Sequence, residues 1–320
     1  MLENLFLTGV IPANAEQGVY NLYLVFLSYL VASLASYIAL DFSIHLANPN
    51  PQSISKRVIH GFGAFAMGAG IWAMHFIGML AYRMDMAITY DPLLTFFSML
   101  VAIAIAYCVL ALVKGTRMTF GKITLGAILL GLSICGMHYS GMHAMQMDAD
   151  LRYRPDLFAV SVAIAIAASA AALWIAFTLA RRNGRHQKKL KICAAAVMGF
   201  AICGMHYTGV AAAIIIPYAD CQRGVGQDSS GIAIAVGIGI AVGIAVGMAT
   251  RRSGDRVAPS LRVALVVALV AGAAVFGAEL GGDSGLFGQI VAGPEIEGQD
   301  GVVLVDNVAL GLVTETGPEG

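Results

Sequence analysis

The chain has 320 residues, of which 58% are hydrophobic and 12% are charged. Because soluble domains carry about 25% charged residues, this composition excludes an ordinary soluble globular enzyme. The 19 basic and 19 acidic residues cancel, so the charge balance does not indicate nucleic-acid binding. The five cysteines, an odd number, argue against a disulfide scaffold. The charged residues lie between long apolar runs, a pattern typical of helical proteins that cross the lipid bilayer several times.

Seven apolar runs are long enough for a transmembrane helix, which needs about 20 residues. They span residues 20–40, 58–82, 93–113, 123–147, 157–180, 192–217 and 231–250. A shorter run at 263–278 is a possible eighth helix. The sequence therefore predicts an all-α fold, a polytopic membrane bundle of seven transmembrane helices with a possible eighth. Residues 1–19 are predicted to be an outer flank, 20–250 a seven-helix domain, and 251–320 a basic stretch, the possible eighth helix and an acidic, glycine-rich tail.

The distribution of Lys and Arg between the connections predicts the orientation of the helices. Fifteen of these residues fall on one side of the predicted membrane and four fall on the other. Because basic residues favour the cytoplasmic side, we expect an outer N-terminus and a cytoplasmic end of helix 7. No Lys or Arg follows Arg262. The tail is outside if residues 263–278 cross the membrane, and cytoplasmic if they do not.

The even-numbered predicted helices share a short motif, Met-His followed after three residues by glycine. The three copies are Met74, His75 and Gly78; Met137, His138 and Gly141; and Met205, His206 and Gly209. The histidines are 63 and 68 residues apart. The repeating unit is thus a pair of helices, 1–2, 3–4 and 5–6, with helix 7 outside the repeat. Because each unit contains an even number of spans, the copies form a parallel repeat.

The three histidines are predicted to occupy one layer near the outer face. At about 1.5 Å of rise per residue, His75 lies roughly 10 Å below Tyr82, and the other two lie at similar depths. An ionisable side chain inside a span is costly, which makes it a functional candidate. In the alternative interpretation, each histidine only forms a hydrogen bond with a neighbouring helix. The glycines remove bulk beside the imidazoles, so a partner helix or a metal with its ligands can approach there.

The side chains around this layer are of the types that bind a soft metal. Thioether, thiol and imidazole groups together favour copper, especially copper(I), whereas carboxylates are scarce within the spans. The candidate metal ligands are Met74, His75, Met79, Cys135, Met137, His138, Met142, His143, Cys203, Met205 and His206. Helix 4 offers the most donors and is predicted to be the centre of the site. The alternative is that the methionines only pack in the core.

Residues 205–208, Met-His-Tyr-Thr, resemble the motif for which the MHYT domain, a bacterial membrane sensor module, is named. The resemblance covers about residues 20–250. It implies six or seven helices in the bacterial cytoplasmic (inner) membrane, with an outward-facing motif layer. It also implies a copper site that senses oxygen, carbon monoxide or nitric oxide, with the three Met-His pairs as ligand candidates. Two departures stand out, because Phe76-Ile77 replaces Tyr-Thr in the first copy and Val210 stands where the other copies have methionine.

These observations favour a metal-dependent membrane sensor. Members of the MHYT family often continue into cytoplasmic cyclase, phosphodiesterase or kinase domains, and we expect this chain to signal to a separate cytoplasmic protein instead. The first alternative is a b-type haem protein with His75, His138 or His206 as axial ligands. The second is a metal-handling permease, which would need polar residues through the full depth of the bundle. Neither a nucleophile–base pair nor a phosphate-binding loop is evident, so we expect no enzyme activity.

Overall fold

The computed structural model describes residues 5–47, 56–113, 119–180, 187–219 and 221. Its helices are α1 (Leu22–Ala47), α2 (Lys56–Ala81), α3 (Pro92–Val113), α4 (Phe120–His143), α5 (Pro155–Ala180) and α6 (Gln187–Ala212). Among the described residues, five helices are long and apolar enough to cross a membrane, and α3 contains a shorter apolar stretch, Pro92–Cys108. The described chain is thus a multi-pass helical membrane bundle, as predicted. Predicted helix 7, the possible eighth helix and the tail lie outside the described residues.

Three short antiparallel strand pairs lie at the end of the bundle that carries the motif, here called the motif end. The strands are β1 (Val19–Tyr20), β2 (Tyr82–Arg83), β3 (Thr89–Tyr90), β4 (Met145–Gln146), β5 (Ala149–Tyr153) and β6 (Ala213–Pro217). They pair as β1–β2, β3–β4 and β5–β6. Each pair joins the residues before an odd-numbered helix to the residues after the next helix. The repeating helix pair is therefore a β-α-α-β unit, present three times.

Local signals explain where the odd-numbered helices begin. Before α1, the Asn21 side-chain oxygen accepts hydrogen bonds from the backbone N–H groups of Tyr23 and Leu24. Before α3, Asp91 accepts one from Leu94 in the same way. Such side chains satisfy N–H groups that a helix leaves unpaired at its first turn. Proline, which favours the first helical position, begins α3 and α5.

Two predicted spans end several residues earlier in the structure than expected. Helix α4 ends at His143 instead of residue 147, and α6 ends at Ala212 instead of residue 217. Residues 213–217 are apolar enough to lengthen a predicted span, but they form β6 and pair with Ala149–Tyr153. Three successive isoleucines suit a strand, and a short apolar run alone does not distinguish a strand from a helix end. Helix α1 differs in the opposite direction and continues to Ala47.

The helices form a closed ring in which the even-numbered helices meet at the centre. Each odd-numbered helix packs against the even-numbered helix of its own unit and against that of the preceding unit. The contacts between units are close because α2, α4 and α6 each carry a glycine seven residues before the motif histidine. A Cβ atom at these positions would overlap the facing residue: Ile103 for Gly68, Ile166 for Gly131 and Ser33 for Gly199. Small residues allow such close approach between membrane helices.

The N-terminal flank packs on the third strand pair. The backbone N–H of Leu7 donates to the carbonyl of Tyr153, and that of Tyr153 donates to Leu5. Further along, the N–H of Glu16 donates to the carbonyl of Ile215. The beginning of the chain is therefore held by the third unit and covers part of the motif end.

Candidate metal centre

His75, His138 and His206 meet where the three even-numbered helices converge, and all three are fully buried. The Nδ1 atom of His75 lies 3.0 Å from that of His138 and 3.1 Å from that of His206, and the third distance is 3.3 Å. The imidazole planes meet at 76°, 81° and 87°. These three Nδ1 atoms form a triangle, here called the histidine triangle. Each even-numbered helix contributes one nitrogen to it, so α4 contributes no more than α2 or α6.

The histidine triangle has the dimensions of a three-nitrogen metal site. Its edges average about 3.1 Å, which puts the centre about 1.8 Å from each Nδ1 atom (edge divided by √3), and metal–imidazole bonds are about 2.0–2.1 Å long. An ion held here would therefore be bound by all three nitrogens. Among the described residues, these three side chains form a group that could hold a metal ion.

The chemistry of neutral imidazole also favours a cation at the centre. A neutral ring has one N–H donor and one nitrogen lone pair. One Nδ1 proton can be shared with its neighbours, but three Nδ1 atoms at hydrogen-bond distance cannot satisfy one another completely. The lone pairs that remain face each other in an apolar core, where unsatisfied polar groups are costly. A positive ion bound by all three nitrogens would remove this cost.

Three glycines hold the imidazoles in place. The Nε2 atom of His75 lies against Gly141, that of His138 against Gly209, and that of His206 against Gly78, where any Cβ atom would overlap the ring. Each motif glycine therefore receives the histidine of a different helix. The space that the sequence predicted beside the imidazoles is occupied by an imidazole from a neighbouring motif copy.

The other candidate ligands lie around the histidine triangle in different ways. The methionines are buried in the same core: Met74, Met79, Met137, Met142 and Met205. Cys135 and Cys203 are buried too. Neither cysteine belongs to the group of ligand atoms around the triangle in the described part of the chain. His143 is exposed at the end of α4.

Tyrosine–serine pairs fix the helices behind two of the histidines. Tyr139, next to His138, forms a 2.6 Å hydrogen bond with Ser161 of α5. Tyr207, next to His206, forms a 2.8 Å hydrogen bond with Ser28 of α1. These pairs join each motif to the first helix of the following unit.

The first motif copy replaces this pair with a different one. Phe76 has no hydroxyl group, and the equivalent serine, Ser98 of α3, accepts a 3.1 Å hydrogen bond from Trp72 Nε1. Trp72 stands where the other copies have cysteine and also donates to the carbonyl of Thr95. The two departures in this copy, Trp72 and Phe76, therefore compensate for each other.

Aromatic residues cover the histidine layer at the motif end. Tyr90 packs on Phe76, Tyr153 on Tyr139 and Tyr20 on Tyr207, with ring centroids 5.8, 5.1 and 5.6 Å apart. Tyr153 also points its hydroxyl at the sulfur of Met142, 4.0 Å away. Burial raises the pKa of Tyr20 to about 12, as expected for a phenol that packs in an apolar layer. This cover separates the imidazoles from the surface.

Charged groups at the motif end lie outside this cover. Asp150 accepts a 3.0 Å hydrogen bond from the Tyr218 hydroxyl and pairs with Arg152 at 3.2 Å. These two partners lower the pKa of Asp150 below its usual value. Arg154 pairs with Asp156 at the surface. In the described residues the group of ligand atoms at the triangle consists of three imidazoles without a carboxylate.

Sequence reasoning missed two sets of residues that support the site. One is the second glycine set, Gly68, Gly131 and Gly199, and the other is the serine set, Ser28, Ser98 and Ser161. The glycines recur seven residues before each motif histidine, and the serines recur six residues after the first residue of each odd-numbered helix. Aligning the three units on their histidines and on their helix starts would have found both sets.

Comparison with known proteins supports the motif-based resemblance. Residues 68–126 and 131–187 match the MHYT family model, whose description is a bacterial signalling protein N-terminal repeat. No solved structure matches the chain at a significant level.

Three signalling proteins are similar to part of the chain. MucR of Pseudomonas aeruginosa, a bifunctional diguanylate cyclase/cyclic di-GMP phosphodiesterase, is 41% identical over 218 residues, which cover 68% of this chain and 31% of MucR. The cyclic di-GMP phosphodiesterase NbdA of the same species is 40% identical over 61% of this chain and 25% of its own length. The signalling protein YkoW of Bacillus subtilis is 40% identical over 61% of this chain and 24% of its own length. The chain therefore spans less than a third of the length of these relatives. It is a member of the MHYT family of membrane signalling proteins.

Proposed function

We propose that the chain is a membrane sensor in which His75, His138 and His206 bind one copper(I) ion. The proposed signal is a diatomic gas (oxygen, carbon monoxide or nitric oxide) or the redox state, relayed to a cytoplasmic signalling partner. The observation that carries this proposal is the convergence of three buried Nδ1 atoms within 3.0–3.3 Å of one another. The family and the signalling relatives support the sensor role.

The charge of the ligands favours copper(I) over a divalent ion. Imidazole binds zinc, copper, iron and nickel, so the donor atoms alone do not select the metal. Three neutral ligands leave the whole charge of the ion uncompensated in an apolar core, and burying charge is costly. A monovalent ion therefore costs less than a divalent one. The buried methionines and cysteines nearby also favour a soft metal.

The protein would bind, orient and shield the ion. The glycines fix the ring positions, the tyrosine–serine pairs fix the helices, and the aromatic cover excludes water. A copper(I) ion with three nitrogen ligands supplies an open coordination position for a small ligand and a reversible one-electron change. Because each imidazole comes from a different unit, a change in the preferred geometry at the triangle would shift α2, α4 and α6 relative to one another. The orientation predicted from the basic residues puts the far ends of these helices in the cytoplasm.

The alternatives fit the geometry less well. A haem with two axial histidines needs a flat slot between the rings, whereas here three imidazole nitrogens are within hydrogen-bond distance of one another. A permease needs a polar path, but below the triangle the central helices present Ile71, Ile134 and Ile202. The helical domain is therefore proposed to act as a sensor without catalysis of its own. MucR and NbdA are enzymes of cyclic di-GMP turnover, and the proposed output is control of a signalling protein of that class.

Metal analysis of the purified protein tests the proposal, together with an optical spectrum of the reduced protein before and after addition of carbon monoxide. We expect one copper per chain, no Soret band, and a spectral change with carbon monoxide. The variants His75→Ala, His138→Ala and His206→Ala should lose copper to a similar degree, because each contributes one nitrogen. The matched control is His143→Ala, since His143 is exposed. Full copper retention in the three motif variants would refute the site, and loss in His138→Ala alone would favour the site centred on α4 that the sequence predicted.

A further inference from the structure

A cavity of about 40 Å³ lies next to the histidine triangle on the side away from the motif end. The three central helices line it with side chains four and eight residues before each motif histidine: Met67 and Ile71, Leu130 and Ile134, and Met198 and Ile202. Because 3.6 residues make one helical turn of 5.4 Å, these side chains form the first two layers below the imidazoles. The cavity is therefore aligned with the triangle and separated from it by about one turn.

Small residues of two outer helices complete the wall. Helix α1 contributes Ala35 and Ala39, and α5 contributes Ala168 and Ala172. Further from the triangle, large and small apolar side chains of α1, α5 and α6 pack together: Leu40, Ala176, Leu179 and Ala195. The alanines thus leave space beside the cavity, whereas the side chains beyond them fill the space between the helices.

The side chains that line the cavity indicate what kind of molecule it can bind. The lining is almost entirely apolar, and apolar cavities in proteins stay dry and bind xenon or hydrocarbons. The volume is about three times the roughly 10–15 Å³ that a cavity needs to hold one water molecule, so it has room for a molecule of two heavy atoms. Two hydroxyl groups, of Ser36 and Ser169, lie on the wall without a hydrogen-bond partner. A water molecule that bridges them is the competing occupant.

We propose that this cavity, here called the axial cavity, binds a small apolar molecule of two heavy atoms, the class to which diatomic gases belong. It holds the molecule one helical turn from the histidine triangle, inside the apolar part of the bundle where such molecules are concentrated. The identity of the physiological occupant rests on the proposed gas-sensing function, whereas the binding site itself rests on the cavity and its lining.

Xenon is a suitable probe because it is apolar, of similar size and independent of any metal. The experiment measures xenon binding to the whole metal-free protein by xenon NMR and locates the atom in crystals under xenon pressure. The variant Ile134→Phe fills the axial cavity, and the matched control Ile128→Phe places the same ring on the exposed face of α4. Ala172→Leu fills the cavity from α5 and replaces Ile134→Phe if that variant does not fold.

We expect saturable xenon binding in the wild-type protein and in Ile128→Phe, and at least tenfold weaker binding in the filled variants. Absence of xenon binding in the wild-type protein, or an ordered water between Ser36 and Ser169 that xenon does not displace, would overturn the proposal. So would unchanged binding in a folded variant with a filled cavity. Measuring the copper content separates this result from the proposed function. Xenon binding without copper binding would support the axial cavity and refute the metal centre. Copper binding without xenon binding would support the metal centre and refute the axial cavity.

Discussion

The Nε2 atom of His75 lies against the backbone of Gly141, so closely that a Cβ atom at position 141 would overlap the imidazole. The same relationship joins His138 to Gly209 and His206 to Gly78. Each helix therefore positions the ligand of another helix, and a change at one glycine is expected to act on a histidine in a different unit.

Replacing Gly141 with alanine tests this relationship. In Gly141→Ala the new methyl group displaces the His75 ring, at a cost of about 1–3 kcal/mol for overpacking. We expect copper affinity to fall about 10- to 100-fold, as it does when residues that orient metal ligands are changed. The control is Gly136→Ala on the same helix, where a Cβ atom would meet nothing within 4 Å. Competition with a copper(I) chelator measures both, and equal affinity in the two variants would contradict the prediction.

Trp72→Cys and Phe76→Tyr introduce the residues of the other two motif copies, and we expect their effects on stability to be strongly coupled. Phe76→Tyr alone brings a hydroxyl group toward Ser98, which already accepts a hydrogen bond from Trp72. Trp72→Cys alone leaves Ser98 without this donor and opens a cavity. The double variant recreates the tyrosine–serine pair, so we expect it to be more stable than the sum of the single changes by about 0.5–3 kcal/mol. Thermal unfolding of the four proteins in detergent gives this coupling energy, and additive effects would argue against compensation.

A buried ion pair joins the first and last described helices. Lys191 of α6 pairs with Asp41 of α1, and its ammonium group lies 4.4 Å from the centre of the Tyr37 ring. Both charged residues are buried, so Asp41→Asn leaves an unpaired charge and should destabilise the protein by about 3–5 kcal/mol. Unfolding in detergent measures this, and Asp41→Asn/Lys191→Met should recover most of the loss. Arg154→Gln, which breaks the exposed pair with Asp156, serves as the control and should have little effect. Equal effects of the two single changes would contradict the prediction.

Cysteine labelling tests the orientation that follows from the basic residues. A membrane-impermeant maleimide added to intact cells should modify Cys221, which is half-buried at the motif end, and should not modify a cysteine introduced as Asn183→Cys. Cys221→Ser removes the expected signal and identifies the labelled site. Labelling of position 183 but not of Cys221 would reverse the orientation and place the motif end in the cytoplasm.

The sequence predicted the repeat because its signal is local and periodic. One short motif, repeated in alternate apolar runs, is enough to indicate helix pairs in parallel orientation, and the three histidines do lie together. The ends of α4 and α6 were not predictable in the same way, since Ala213–Pro217 is as apolar as a helix end but pairs with a strand. Hydropathy indicates that a segment is buried, and both strands and helices can be buried, so hydropathy does not distinguish them.

The convergence of the histidines was easier to predict than which other side chains could act as ligands. Spacing along a helix places Cys135 and His138 on neighbouring positions of one stripe, but it does not show which side chain faces the axis. In the third copy Cys203 is buried but does not belong to the group of ligand atoms in the described part of the chain, while His206 faces the other two imidazoles. The difference arises from contacts with helices distant in the sequence, and no pattern within one helix encodes them.

The attachment of the N-terminal flank to the third strand pair has a consequence for biosynthesis. Leu7 and Glu16 emerge from the ribosome first, yet their hydrogen-bond partners, Tyr153 and Ile215, are made much later. A nascent chain with two units carries two of the imidazoles and lacks the third, so it has no complete ligand set. Closure of the ring and completion of the triangle are therefore late and simultaneous events, and metal loading at the proposed site is expected only after insertion of the sixth helix.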